Sequence, residues 1–366
     1  MQTQTDSPSK IIWQRFKKNR FALMGLVIAF IAAFVCVFSY LIIPDSSQNA
    51  NQMCLQASLL PPGSKINYLK VKSELTSESS GIEKLFFGND ETNQIIPVVD
   101  YQLTNNIIHY KELGSEAFGW QTISALKVVN NGKDHSYLFS KKYLLGADKF
   151  GRDVFSRLIL GTRVSFSVGF IAVFISLFIG IVLGSLAGYY RGIIDSLITW
   201  MVNVIWSIPT LLLVVAITLA LGKGFVQVFV AVGLTMWVEV ARLVRGQFFT
   251  LREAQFVEAG KSFGFNNARI IFKHILPNVL GPVIVIAASN FASAILLEAG
   301  LSFLGMGAQP PMPSWGMMIK ENYGYIIMDS AYLAIIPGAA IAVLVMAFTL
   351  LGNGLRDAFD VKQSKS

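Results

Sequence analysis

The chain has 366 residues, 53% of them hydrophobic and 14% charged, where a soluble protein of this length carries roughly 25% charge. The apolar residues gather in blocks of about 20, the length that crosses a hydrocarbon core as a helix, so composition places the chain among integral membrane proteins. The net charge of +8 does not point to nucleic acid, because Lys and Arg flank the apolar blocks and form no stripe or tail.

The N-terminal stretch Lys10–Arg20 contains Arg15, Lys17, Lys18 and Arg20, and the apolar run Phe21–Ile43 follows. A signal peptide also pairs a basic patch with an apolar core, but that core is only about 7–15 residues long and ends at a small-residue cleavage site. This run is longer and stops at Pro44-Asp45. It reads as a retained first span (22–43) behind a cytoplasmic segment (1–21), since basic residues stay on the cytoplasmic side.

Residues 44–160 read as an external region. Within it, 45–142 is polar, with Lys65, Lys70, Lys72, Glu74, Glu78, Glu83, Asp90 and Glu91 interspersed and no Arg. Long translocated loops escape the charge rule. Alternating patches such as Gln121–Val129 predict strands, and hence a small α/β or irregular lobe.

Further spans are predicted at about 164–189, 198–221, 224–243, 279–304 and 333–353, with a tight outer turn at Gly222-Lys223-Gly224. With the first run they make six, within a transmembrane core of 161–354 and before a cytoplasmic tail of 355–366. Six spans from a cytoplasmic N-terminus put 305–332 outside and the 245–278 loop inside. That loop carries Arg245, Arg252, Lys261, Arg269 and Lys273 against Glu253 and Glu258, whereas 305–332 carries Lys320 offset by Glu321 and Asp329. Charge counting and span counting agree. The one tension is Lys149, Arg152, Arg157 and Arg163 on the outer side.

The inner loop is patterned. Phe256, Ala259, Gly260 and Phe263 recur at three- and four-residue steps, predicting a short helix with an apolar face. Gly264 is a helix stop, Asn266 or Asn267 can cap a second amphipathic segment over Ala268–Leu276, and Pro277 is expected to end it. Such a unit can present a knob to a partner's groove.

The order Glu258-Ala259-Gly260, then Gly264, then Leu276-Pro277 resembles the EAA motif of ABC-importer permeases, with Gly260 where Ala is usual and His274 where Ile is usual. Leu145–Asp153 with Ser156-Arg157 and Gly161-Thr162-Arg163 is similar to the segment before the second helix of the dipeptide and oligopeptide branch. Glu298–Gly305 with Gln309-Pro310-Pro311 and Pro313–Gly316 is similar to its fifth helix and following loop, and Trp13–Arg20 fits as well. The resemblance covers 11–43 and 143–360. It implies a type I permease of six transmembrane helices in a bacterial inner membrane, with both termini cytoplasmic. It also implies a second homologous permease, two ATP-binding subunits coupled through the loop, an external solute-binding protein and surrounding lipid. The cargo it implies is short peptides, with nickel or another small solute as the alternative.

Other candidates are weighed individually. Glu298, near the outer end of the fifth span, is a costly intramembrane carboxylate and so a translocation-path or gating candidate, with a structural hydrogen bond as the other reading. Asp148, Arg152, Asp153 and Arg157 read as a structural ion-pair cluster at the membrane rim. Glu239 and Arg242 are spaced to pair, Asn203 and Asn290 suit interhelical hydrogen bonds, and Gly184 and Gly188 suit close helix packing. Cys36 and Cys54 form no framework, and His109, His135 and His274 are scattered, so no metal site is expected. No catalytic set is visible. The Gly-x-x-x-x-Gly-Lys-Ser/Thr phosphate loop is absent from the sequence, so ATP and Mg belong on partner subunits and this chain is expected to bind no cofactor. An ion-driven secondary transporter would need midplane carboxylates or inverted repeats, and the spans show neither.

Overall fold

The computed structural model describes residues 8–72, 87–88, 94–114, 119–130, 137–222 and 224–360. Glu74, Glu78, Glu83, Asp90, Glu91, His135 and Lys223, read above, lie outside the described residues, as do the two ends of the chain. The chain forms two compact units. One comprises Met1–Ala33, Ser165–Gln309 and Ala339–Ser366, the other Phe34–Val164 and Pro310–Gly338.

Helix α1 (Pro8–Lys18) ends on Arg15, Lys17 and Lys18, where cations complement the helix dipole. Helix α2 (Arg20–Ile42) is the first apolar run. Among the described residues, five strands follow: β1 (Lys65–Val71), β2 (Gln94–Thr104), β3 (Ile107–Glu112), β4 (Gln121–Ser124) and β5 (Leu138–Lys142). They form one sheet in the order β4-β3-β2-β1-β5, antiparallel throughout, with Leu69 opposite Ile96 and Ile66 opposite Lys141. Leu69, Val98, Ile108, Tyr110, Ala125 and Val128 make its core. The alternating patch at Gln121–Val129 becomes β4 and a single 3-10 turn, Ala125–Lys127.

The second span is longer than predicted. Helix α3 runs Val154–Tyr190, 37 residues, or about 55 Å at 1.5 Å per residue, against a hydrocarbon core of about 30 Å. Its early start follows from Asp153, whose carboxylate accepts from the Ser156 amide at 3.0 Å and so satisfies a donor that the first turn leaves open.

The third span is corrected. The expected single run 198–221 is two helices, α4 (Gly192–Trp206) and α5 (Thr210–Leu221), bent 92° apart. Pro209 breaks it: proline has no amide hydrogen and pushes the residue before it out of helical geometry. Helix α6 (Phe225–Leu251) and the short α7 (Gln255–Ser262) follow. A helical turn, Asn267–Arg269, then leads through a π-helical stretch, Ile270–Ile275, into α8 (Leu276–Phe303). The expected stop at Pro277 is therefore also corrected. Pro277 lies directly after the π-helical stretch, as the second residue of α8, and the chain stays helical from Asn267 to Phe303. Helices α9 (Trp315–Asn322) and α10 (Tyr332–Phe359) complete the chain. Among the described residues, five helical runs are long and apolar enough to cross a membrane, and the bent pair makes six if it counts as one span.

In the first unit, α3 lies on α6 at close range. A β-carbon built on Gly184 would come 2.6 Å from the Ala241 carbonyl oxygen, and Gly180 and Gly188 in the same stripe are equally tight against Val240 and Phe248. The predicted small-residue seam is thus present and one step longer, which lets the two backbones approach.

Candidate functional site

The inner loop is built on a hydrophobic seat. Val257 from α7 is buried with Ile270, Ile271 and Ile275 of the π-helical stretch, with Val279 of α8, and with Tyr189, Val240, Val244 and Phe248 from α3 and α6. Helix α7 thus lies on the ends of the long helices. It closes on Gly264, whose φ of +76° suits glycine far better than any residue with a β-carbon. The Phe265 amide donates to the Gly260 carbonyl at 3.0 Å and the Gly264 amide to that of Lys261 at 2.9 Å, which is a Schellman closure.

Of the two asparagines expected to cap, Asn266 does so, its side chain accepting from the Arg269 amide at 2.8 Å. Asn267 instead accepts from the Tyr189 hydroxyl. Arg269 stacks on Phe265, and Phe265 on His274. Near the loop, Arg191 pairs with Glu253 at 2.6 Å and Arg245 with Asp195 through two hydrogen bonds.

The expected apolar face of α7 is present except for Gly260, which lies on the opposite, buried side. The inner side of the helix is Val257 and Gly260, whereas Phe256, Ala259 and Phe263 point outward with Glu258 and Lys261. Phe263 is 78% exposed and Phe256 43%. Leu276 is half-buried and Pro277 exposed. The recurrence at three- and four-residue steps was real, but it marks an outward apolar stripe.

Glu298 is 1% exposed. The Ser165 hydroxyl donates to its Oε2 at 3.0 Å and the Ser302 hydroxyl to its Oε1 at 2.7 Å. Both carboxylate oxygens are therefore engaged within the first unit. Asn290 is also buried. Glu239 lines a cavity of about 330 Å³ with Trp206, Ile208, Thr210 and Ser293 at the break between α4 and α5. Arg242, expected beside Glu239, lies over the Trp206 ring at 3.6 Å.

In the second unit, Arg152 Nε meets Asp148 Oδ2 at 2.6 Å and its Nη2 meets Glu321 Oε2 at 2.7 Å. Arg157 lies 3.6 Å from Glu321 and 4.0 Å from Asp148. All four side chains are largely buried. Asp153 stands apart from these pairs as the cap of α3, and burial pushes its carboxyl above the ordinary range. Sequence reasoning missed Glu321. The signal was there, in an outer cluster with more arginine than its local carboxylates balance. No group of three or more metal-ligating side chains converges among the described residues.

The chain belongs to the family of binding-protein-dependent transport system inner membrane components, whose model matches residues 180–365. Residues 7–62 match the N-terminal transmembrane domain of oligopeptide transport permease C. The dipeptide transport system permease protein DppC of Alkalihalophilus pseudofirmus is 43% identical over 223 residues, 61% of this chain and 73% of that protein. The glutathione transport system permease protein GsiD of Pectobacterium atrosepticum is 42% identical over 223 residues, 61% and 74% of the two chains. A solved structure of the MetNI methionine ABC transporter, facing inward, matches at 20% identity with a TM-score of 0.47, covering 56% of this chain and 97% of that one. The resemblance drawn from the inner loop and the two outer motifs is borne out, and the chain is a multi-span membrane permease of an ABC importer.

Proposed function

We propose that this permease moves short peptides inward across the cytoplasmic membrane as one half of a passage completed by a second, homologous permease. Two ATP-hydrolysing subunits dock inside, the inner loop of this chain meeting one of them, and a solute-binding protein delivers cargo to the outer side. The chain itself performs no catalysis and binds neither ATP nor Mg. The N- and C-termini lie in the cytoplasm and the sheet lobe lies outside, a reading supported by the basic N-terminal segment and the basic inner loop.

The observation that carries the docking reading is the outward stripe of α7. Phe256, Ala259 and Phe263 are solvent-facing on a helix whose other side is fixed to the ends of α3, α6 and α8. An exposed apolar face on an amphipathic helix suits a partner's groove. Because α7 is seated on the spanning helices, a push from the partner reaches them as a rigid displacement, and the helices rock between outward- and inward-open states. Glu258, Ala259, Gly260, Gly264, Leu276 and Pro277 are the coupling residues of this reading.

Uptake of labelled di-, tri- and longer peptides in cells with and without the gene tests the proposal. Peptide uptake should fall on deletion, with a length preference that defines the cargo. Unchanged uptake of every peptide would remove the peptide reading.

A further inference from the structure

Residues 63–179 lie outside both family matches, and they contribute most of a cavity that the transport reading does not use. It measures about 400 Å³ and is lined by Asp45, Ser47, Tyr68, Lys70, Lys141 and Lys142, among others. Lys141, on the edge strand β5, is only 8% exposed, yet its ammonium has no hydrogen-bond partner.

The nearest carboxylate oxygen, Asp45 Oδ2, is 4.0 Å away, beyond hydrogen-bond reach. Asp45 is already engaged. Its Oδ1 accepts from the Ser47 amide and hydroxyl at 3.1 and 2.6 Å, and its Oδ2 from the Gln52 amide at 3.3 Å. It lowers the cost of a nearby positive charge without filling the three donors that an ammonium carries. A buried polar group left unfilled is costly.

A second carboxyl that acts on Lys141, that of Asp153, is engaged elsewhere, its Oδ2 accepting from the Ser156 amide and hydroxyl. Lys70 is held over the Phe139 ring at 4.8 Å, and Lys142 is exposed. Three ammonium groups therefore line a polar cavity with one carboxylate among them.

We propose that this cavity is an oxyanion site centred on Lys141 that takes a phosphoryl group, carried by a lipid headgroup or as free phosphate. A phosphoryl group supplies several acceptor oxygens to a point-charge donor. The location suits a headgroup: α2 ends at Ile42 and the cavity wall begins at Pro44, where a spanning helix leaves hydrocarbon for the headgroup layer. The proposal does not depend on the cargo.

The assembled permease complex, in nanodiscs of phosphatidylcholine with a minor share of phosphatidylglycerol, is released for native mass spectrometry. A parallel sample in detergent is titrated with inorganic phosphate and followed by ³¹P line width. Wild type should retain phosphatidylglycerol or broaden the phosphate signal. Lys141→Met should abolish the effect and Lys141→Arg should preserve it. Lys142→Ala, an exposed change that leaves folding alone, should weaken binding about five-fold.

Lipid retention that inorganic phosphate does not displace identifies the headgroup as the source. Phosphate broadening without lipid retention identifies the free ion. If wild type binds neither above the Lys141→Met level, or if Lys142→Ala and Lys70→Ala leave binding unchanged, the cavity holds water alone and the proposal fails.

Discussion

The hydroxyl of Tyr189, at the end of α3, donates a 2.8 Å hydrogen bond to Oδ1 of Asn267, the first residue of the helical turn after Gly264. A spanning helix and the inner loop are thereby joined through one polar contact above their shared apolar seat. Tyr189→Phe removes that bond while keeping the ring in the cluster. A single hydrogen bond of this kind contributes about 1 kcal/mol, so the fold should persist while the loop loosens. In a reconstituted complex, peptide transported per ATP hydrolysed should fall about two- to five-fold, with the ATPase rate retained. An unchanged ratio would show that the apolar seat alone transmits the motion.

The outward stripe of α7 makes a different prediction. Phe263 is largely exposed, so Phe263→Asp should leave insertion and thermal stability of the chain near wild type. Desolvating a carboxylate against a partner's groove is costly, and co-purification of the ATP-hydrolysing subunit should drop at least ten-fold. Gly264→Asp acts on the same unit through the backbone. Its positive φ disfavours a β-carbon by about 1–2 kcal/mol, and no neighbouring atom lies within 4 Å of the added carbon. The variant should therefore insert and assemble, yet transport poorly. Wild-type uptake by Gly264→Asp would sink the coupling role.

Much of this was legible in sequence, and the exceptions share a cause. Spans announce themselves because apolar length has no other explanation. The Gly264 turn and the asparagine cap are local, so short-range chemistry predicts the turn and narrows the cap to Asn266 or Asn267, of which the structure uses Asn266. The break at Pro209 was hidden inside a continuous apolar run, where composition outweighs one residue. The spacing of Phe256, Ala259 and Phe263 predicts an apolar stripe, but the direction it faces is set by the seat that Val257 shares with Ile270, Ile271 and Ile275, which spacing does not encode. Glu321 stands 169 residues from Arg152, a separation that periodicity cannot bridge. Glu298 was left open between path and structure, and its two serine donors favour the structural reading.

The seam between α3 and α6 gives a stability test. A β-branched side chain at Gly184 must displace the Ala241 carbonyl and the Val244 side chain. Overpacking of this kind costs about 1–3 kcal/mol, and Gly184→Val should lower the melting temperature of the purified permease by several degrees. Gly246, on α6, has no atom within 4 Å of a built β-carbon. Gly246→Ala should raise the melting temperature slightly, since alanine is the better helix former by about 1 kcal/mol. Equal effects at the two sites would mean that the close approach at Gly184 is not a constraint.

The buried ion pairs of the second unit should respond asymmetrically. Arg152 is shared between Asp148 and Glu321. Arg152→Met leaves those two carboxylates with Arg157 as their charged partner, at 4.0 and 3.6 Å, and Asp148 with the amides of Phe150 and residue 152. Breaking a buried pair by removing one partner costs about 3–5 kcal/mol, and this variant should melt far below wild type. Glu321→Gln is milder, because Arg152 keeps its 2.6 Å contact with Asp148 and glutamine still offers an oxygen. In the double variant Arg152→Met with Glu321→Met, the second change also removes a carboxylate that the first left poorly paired. The double variant should therefore melt no lower than Arg152→Met alone, and with Glu321→Met as the other single variant the loss should fall short of additivity by about 1–3 kcal/mol. Simple additivity in thermal melts would mean that Arg152 and Glu321 do not act on each other across the unit.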